Sequence, residues 1–383
     1  MTKATLTGAA VILFLSVTTN AEQQPGLPAG GLPGVTANAQ GTHFLPGHLA
    51  VLRAGDGVID LKLKQSPIFV DQYDTNSPNA APSLSVPIPT NGPNSFFFNG
   101  HAASEGILTR SANQKILAFG GYGGADLLQI DGTASRMDLL QRGICTVDNS
   151  GTIHTYLYPS VMKDAKINPR GVVTDGTNNF WGCGNSKNTY YFNPAQQHEP
   201  VRFIDLPNSR AIKIVNNALY VSVNEADARV MDGPAGLYTF LPLALPRAAN
   251  TSIEMVVPTT PDYKKVAGFD ISPKQNIAYT SDTAAGVQKY VNSGGTWKLA
   301  YNFSVPQNIP KELNNAAGCF GLVVDFSGTA PVIYATTTEG YGGSVNSNRV
   351  VRIVDTGANA VVTTLVQATS TNIAFRGIDF TPN

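Results

Sequence analysis

Apolar and polar positions alternate along this chain in short runs that are too brief for helices and too regular for loops. Each run opens on a small residue, continues as an alternating strand, turns, and returns as a second strand rich in Tyr, Val and Ala. The copies begin at Glu105-Gly106, Arg170-Gly171, Arg210-Ala211, Ala267-Gly268 and Phe320-Gly321. Their second strands run through Lys115–Phe119, Phe180-Trp181, Leu219–Val223, Ala278–Ser281 and Ile333–Thr337. A sixth first strand, Arg376-Gly377-Ile378-Asp379, ends the chain with no second strand after it. Third strands are predicted at Asn188, Gly236, Gly286 and Arg349, and fourth strands at Glu199, Ser252, Trp297 and Val361.

Four short strands per repeat is the pattern of a β-propeller blade. The unpaired second strand His48–Asp56 lies at the other end of the chain, so pairing it with the last strand closes the ring and removes the exposed edges. The small-residue positions 106, 171, 211, 268, 321 and 377 predict an all-β, six-bladed β-propeller with an average repeat of about 54 residues. The longest spacing, between Gly106 and Gly171, leaves a seven-bladed alternative open, but only two further strands, at Arg142 and Thr152, fall within residues 125–170.

The segments Leu49–Gly57, Ser104–Ser111, Tyr334–Glu339 and Phe375–Pro382 resemble signatures of an uncharacterised family of secreted bacterial β-propeller proteins. The resemblance runs from about residue 48 to the end. It implies the fold and export, and carries no catalytic residues with it.

Residues 1–21 read as a secretory signal peptide: Lys3, an apolar run from Ala4 to Val17, and small residues before a cut after Ala21. The run is shorter than the roughly 20 residues a membrane span needs. Residues 22–47 are Pro/Gly-rich and aperiodic, as a flexible leader would be. The expected product is an exported, soluble monomer, extracellular or periplasmic, with the propeller at 48–383. Lys plus Arg and Asp plus Glu are 26 each, so the net charge is zero, which argues against a nucleic-acid partner. Cys145, Cys183 and Cys319 are too few for a disulfide scaffold, and one bridge, Cys145–Cys183, is the most plausible pairing.

No common catalytic signature is present, so chemistry has to be argued from propeller geometry. Second strands run into Asp56, Glu225, Asp282 and Glu339, and repeat symmetry places these acids near one rim, where they could hold Ca²⁺. The plainer alternative is that they mark turns. Arg170, Arg210 and Arg376 share one repeat position, just before the small residue, and Glu105 takes it in another blade. Three guanidinium groups at a channel mouth could grip a carboxylate or sulfate, or could instead tie neighbouring blades together. His101 and Glu105 are the candidate proton carriers, and Tyr122 and Tyr341, in Gly-rich segments, could stack on a sugar. These residues support a secreted module binding an anionic small molecule or acidic saccharide. The alternatives are a calcium-dependent lactonase, hydrolase or polysaccharide lyase, and a structural surface or matrix protein.

Overall fold

The computed structural model describes residues 42–383 apart from 62–64, 101, 125–139, 159–167, 186–187, 197–199, 204–205, 207, 225–233, 250–251, 309–315 and 341–345. Six antiparallel sheets stand in a ring, forming a six-bladed β-propeller. Blade 3 is Pro169–Thr174, Phe180–Gly184, Asn188–Phe192 and Val201–Arg202, from the axis outward. Blade 4 is Ser209–Val215, Ala218–Val223, Gly236–Leu241 and Ser252–Pro258. Blade 5 is Val266–Ile271, Ile277–Asp282, Gly286–Ser293 and Thr296–Phe303, and blade 6 is Cys319–Asp325, Val332–Thr337, Arg349–Val354 and Val362–Gln367. Among the described residues no helix is long and apolar enough to cross a membrane.

Blade 1 closes the ring as the matched chain ends require. Its inner strand is Ala374–Phe380, which pairs with Leu49–Ala54, followed by Ile68–Tyr73 and Leu84–Pro87. The end of the leader is part of this closure. Phe44 is buried in the core, its backbone N–H donates to Asn149 O, and the Asn149 amide donates to the carbonyls of both Phe44 and Pro382.

Blade 2 holds the long spacing and is a single blade. Its outer strands are Ile116–Gly123, Gln141–Asp148 and Ile153–Tyr158. Its inner edge is split: Thr109–Arg110 pairs with Leu117 and Ala118, while Phe96–Asn99 pairs with Tyr122 and Gly123. A further short strand, Gln65–Ser66, pairs inside Phe96–Asn99. The loop between the second and third strands of blade 1 therefore crosses into blade 2.

The small residue of each repeat has a steric cause. A Cβ on Gly321 would lie 2.5 Å from Arg376 O, and one on Gly268 would lie 2.7 Å from Phe320 O. Inner strands of adjacent blades meet backbone to backbone there, so the position takes glycine or, at Ala211, no more than a methyl group. In five blades the ladder also slips by a residue at this point. The bulge resets the strand alternation, so the residue before the small one and the residue two after it both face the channel.

A buried hydroxyl on the second strand spans the gap after blades 4, 5 and 6. Ser222, Ser281 and Thr336 accept the N–H of Ala211, Gly268 and Gly321 and donate to the carbonyls of Ala267, Phe320 and Arg376 in the next blade. Cys183 occupies the same place in blade 3, where the Gly171 N–H bonds to its thiol.

Two expectations are corrected. All three cysteines are free, buried thiols, so Cys145 and Cys183 form no bridge; they are packed in the second and third strands of different blades. Tyr122 is not in a flexible loop. It lies in the strand Ile116–Gly123 and is 1% exposed, so it cannot offer its ring to a sugar. The glycines around it, which suggest a turn, are close-packing sites: a Cβ on Gly121 would lie 2.5 Å from the Phe96 ring and one on Gly120 3.2 Å from Pro169.

Candidate functional site

Inner strands start, and second strands end, on the same face of the propeller. Arg170, Arg210 and Arg376 therefore share a face with Asp56, Asp282 and Glu339. Around the channel mouth the six equivalent positions run Arg376, Glu105, Arg170, Arg210, Ala267 and Phe320. The charge is gathered on four adjacent positions of the ring, and the other two are apolar.

Two of the arginines tie blades together. Arg376 is 1% exposed and donates to Ala102 O (2.8 Å) and Gly100 O (3.3 Å) in blade 2. Arg170 donates to Asn208 Oδ1 (2.7 Å) and Ser209 O (3.0 Å) in blade 4. Arg210 does not follow them. Arg210 is half-buried and among the described residues has no hydrogen bond and no carboxylate partner; its Nε, like that of Arg170, is buried with nothing to donate to. Burial lowers its pKa to about 10, with the nearby Cys183 thiol pulling the other way. Burial also holds Arg170 well below its usual value, and Arg210 beside it adds to that.

Glu105 is the only acid at these six positions. Its Oε1 accepts from the Tyr122 hydroxyl (2.7 Å) and its Oε2 from the Asn99 N–H (3.0 Å). Burial pushes its carboxyl up to about 7, against the pull of those two hydrogen bonds and of Arg376 and Arg170. Tyr122 is pushed well above its usual value, first by burial and then by Glu105, and Arg142 stacks 5.2 Å from its ring. The Tyr122–Glu105 pair thus supports the arginines from below. His101 and Tyr341 lie outside the described residues.

The acids predicted for a metal rim are each engaged locally. Asp56 Oδ1 accepts the N–H groups of Val58 and Ile59, and Asp282 accepts those of Lys265 and Ala284. Glu339 is ion-paired with Arg349 at 2.8 Å. Glu225 lies outside the described residues, and among those described no three metal-binding side chains gather.

The opposite end of the channel holds charges that the repeat register marks but that were not singled out above. Lys213, Asp270 and Asp379 each stand two residues after the small residue. Lys213 Nζ lies 3.4 Å from Asp270 Oδ2, 3.4 Å from Leu322 O and 3.9 Å from Asp379 Oδ2. Blades 4 and 1 face each other across the axis, so this lysine bridges the channel. Leu61, Ile107, Ala267, Phe320 and Ala374 belong to one apolar cluster, and two of them, Ala267 and Phe320, stand at the same repeat position as the arginines. A cavity of about 730 Å³ opens beside Lys213 on the far face, away from the arginines.

No family model and no curated protein matches this chain. Among solved structures it is similar to a candidate 6-phosphogluconolactonase from Bacteroides fragilis, at 12% identity over 83% of this chain and 81% of that one, with a TM-score of 0.44. The counterpart from Bacteroides uniformis shows 11% identity over 84% and 83% of the chains, with the same TM-score of 0.44. TolB from Acinetobacter baumannii shows 10% identity over 86% and 67%, with a TM-score of 0.39. These are likenesses in strand arrangement and bring no activity to this chain.

Proposed function

We propose that this chain is an exported binding module whose arginine-lined channel mouth captures a small anion. The observation that carries the reading is Arg210. Arg210 is half-buried with a fully buried Nε, and among the described residues no hydrogen bond or counter-charge repays that desolvation. Arg170 and Arg376 already have blade-tying partners, and Glu105 is held by Tyr122 and Asn99. A bound anion would supply what Arg210 lacks. The N-terminal segment, read as a signal peptide, supports export.

The test is calorimetric titration of the chain from Glu22 with carboxylate, phosphate and sulfate ligands, set against neutral compounds of similar size. Binding of anions alone, weakened at least about tenfold in Arg210→Met, is the expected result, since a charge-assisted hydrogen bond is worth about 1.5–3 kcal/mol. Anion binding that survives that substitution would place the site elsewhere.

A further inference from the structure

The cavity beside Lys213 is a second place where a ligand fits, at the end of the channel opposite the arginine mouth. Arg110, Val173, Lys213, Asp270, Val324 and Asp379 line it, one from each blade, so it is the open end of the central channel rather than a cleft between two blades. Its volume of about 730 Å³ falls within the roughly 300–1,000 Å³ usual for small-molecule sites. Lys213, which bridges the channel, forms the floor. The side chains of Lys213, Asp270 and Asp379 remain 11%, 17% and 9% exposed, so all three reach the cavity surface. The ammonium is loosely held: its acceptors stand at 3.4, 3.4 and 3.9 Å, beyond the roughly 2.7–2.9 Å of a charge-assisted hydrogen bond. Among the described residues the Arg110 guanidinium donates once, to Thr381 O at 3.2 Å, and its other N–H groups are uncommitted. Asp270 and Asp379 keep acceptor capacity beyond the backbone N–H groups that fix them. Phe326 and Phe380, both half-buried, give the wall an apolar part.

We propose that this end of the channel binds a neutral sugar, its hydroxyls set among Lys213, Arg110 and the two aspartates and its ring beside Phe326 and Phe380. The floor presents donors and acceptors side by side. A hydroxyl accepts from one and donates to the other through a single atom, which fills the loose contacts of Lys213 without displacing either acid. An anion meets three carboxylates, those of Asp270, Asp379 and Asp325, against two cations. A cation meets Lys213 at the floor and Arg110 beside it. An apolar ligand strips water from all five charged groups and gives no hydrogen bond in return. Only a neutral molecule rich in hydroxyls matches this mixture.

The experiment titrates the chain from Glu22 with glucose, galactose and mannose by calorimetry, set against tetrahydropyran-2-methanol, which has the same ring and one hydroxyl. These sugars are larger than the neutral counterparts of the small anions above and reach across the cavity floor. At least one should bind about tenfold or more tighter than the bare ring. Arg110→Met should weaken that sugar at least about fivefold, while Arg210→Met leaves it unchanged. Ala112 is exposed on the cavity wall, so Ala112→Trp serves where Arg110→Met does not fold, and should block the sugar by bulk. In the Arg210→Met background the amino sugar and the uronic acid corresponding to the sugar that binds should be no tighter than the neutral form. Absence of binding by all three sugars, affinity equal to that of the bare ring, or affinity undiminished in Arg110→Met and Ala112→Trp overturns the sugar site. Tighter binding of the amino sugar or the uronic acid overturns its neutral character. None of these outcomes touches the anion reading, which is decided by Arg210→Met and the small anions.

Discussion

Arg376 and Arg210 occupy the same repeat position but carry opposite consequences for stability. The Arg376 guanidinium answers two buried carbonyls, so Arg376→Met should leave them without donors and cost about 1–3 kcal/mol. Arg210 answers no group among the described residues, and replacing it with an apolar side chain of similar length removes a half-buried charge with no partner there. Urea unfolding should find Arg210→Met as stable as the wild type or more so, while Arg376→Met is weakened. Equal losses in both would mean that Arg210 is a structural tie like its neighbours. Glu105 makes a separate prediction in pH. Its folded carboxyl titrates near 7 against 4.5 for a free glutamate, chiefly through burial. The folded state thus keeps a proton that the unfolded chain has lost, so this group's contribution is full below about 4.5 and disappears as the pH rises towards 7. Glu105→Gln, compared with wild type at each pH, should flatten the fall in stability across that window. Parallel curves would show that Glu105 is already ionised when folded.

The hydroxyls that span neighbouring blades make the strand the unit of assembly. Ser281→Ala strands the Gly268 N–H and the Phe320 carbonyl in a fully buried place, and should cost about 1–3 kcal/mol in urea unfolding. Cys183→Ser should do the reverse, since a hydroxyl at that place is a better donor and acceptor than the thiol it replaces. A loss of stability in Cys183→Ser would show that the blade 3 gap is shaped for sulfur. Much of this layer is legible in the chain. The small residue, the bulge it marks and the Ser or Thr on the returning strand all recur at readable spacing, because inner strands must meet without side chains. Other elements hide for equally physical reasons. Gln65–Ser66 and Phe96–Asn99 are short strands contributed by loops of other blades, and no local period announces a strand whose partner is far away in sequence. Tyr122 misleads because glycines chosen for close packing look the same in sequence as glycines chosen for a turn.

In the whole ring, repeat symmetry points to where a site can be but not to which member of it is active. The three arginines are equivalent in sequence, and their difference arises from what the next blade offers: carbonyls and an amide for Arg376 and Arg170, and no group among the described residues for Arg210. Lys213 shows the same principle at the far tier. Its contacts at 3.4, 3.4 and 3.9 Å span from blade 4 to blades 5, 6 and 1, so one side chain ties four of the six blades across the axis. Asp270 and Asp379 are each fixed by backbone N–H groups, from Val324 and from Arg110, and cannot swing away if the lysine is lost. Lys213→Met therefore leaves two acids facing each other in a place of low dielectric, and breaking such a buried arrangement costs about 3–5 kcal/mol. Burial raises the Asp270 carboxyl, and in the wild type Lys213 opposes that rise. With the ammonium gone Asp270 should take up a proton more readily, which relieves the repulsion. The deficit of the variant relative to wild type should thus be largest near pH 8 and shrink as the pH is lowered towards 5. Unfolding titrations at both pH values check this, and a deficit independent of pH would mean that Lys213 contributes packing rather than charge. Anion affinity at the arginine mouth should stay within about twofold, because Lys213 and the arginines stand at opposite ends of the channel and share no partner among the described residues.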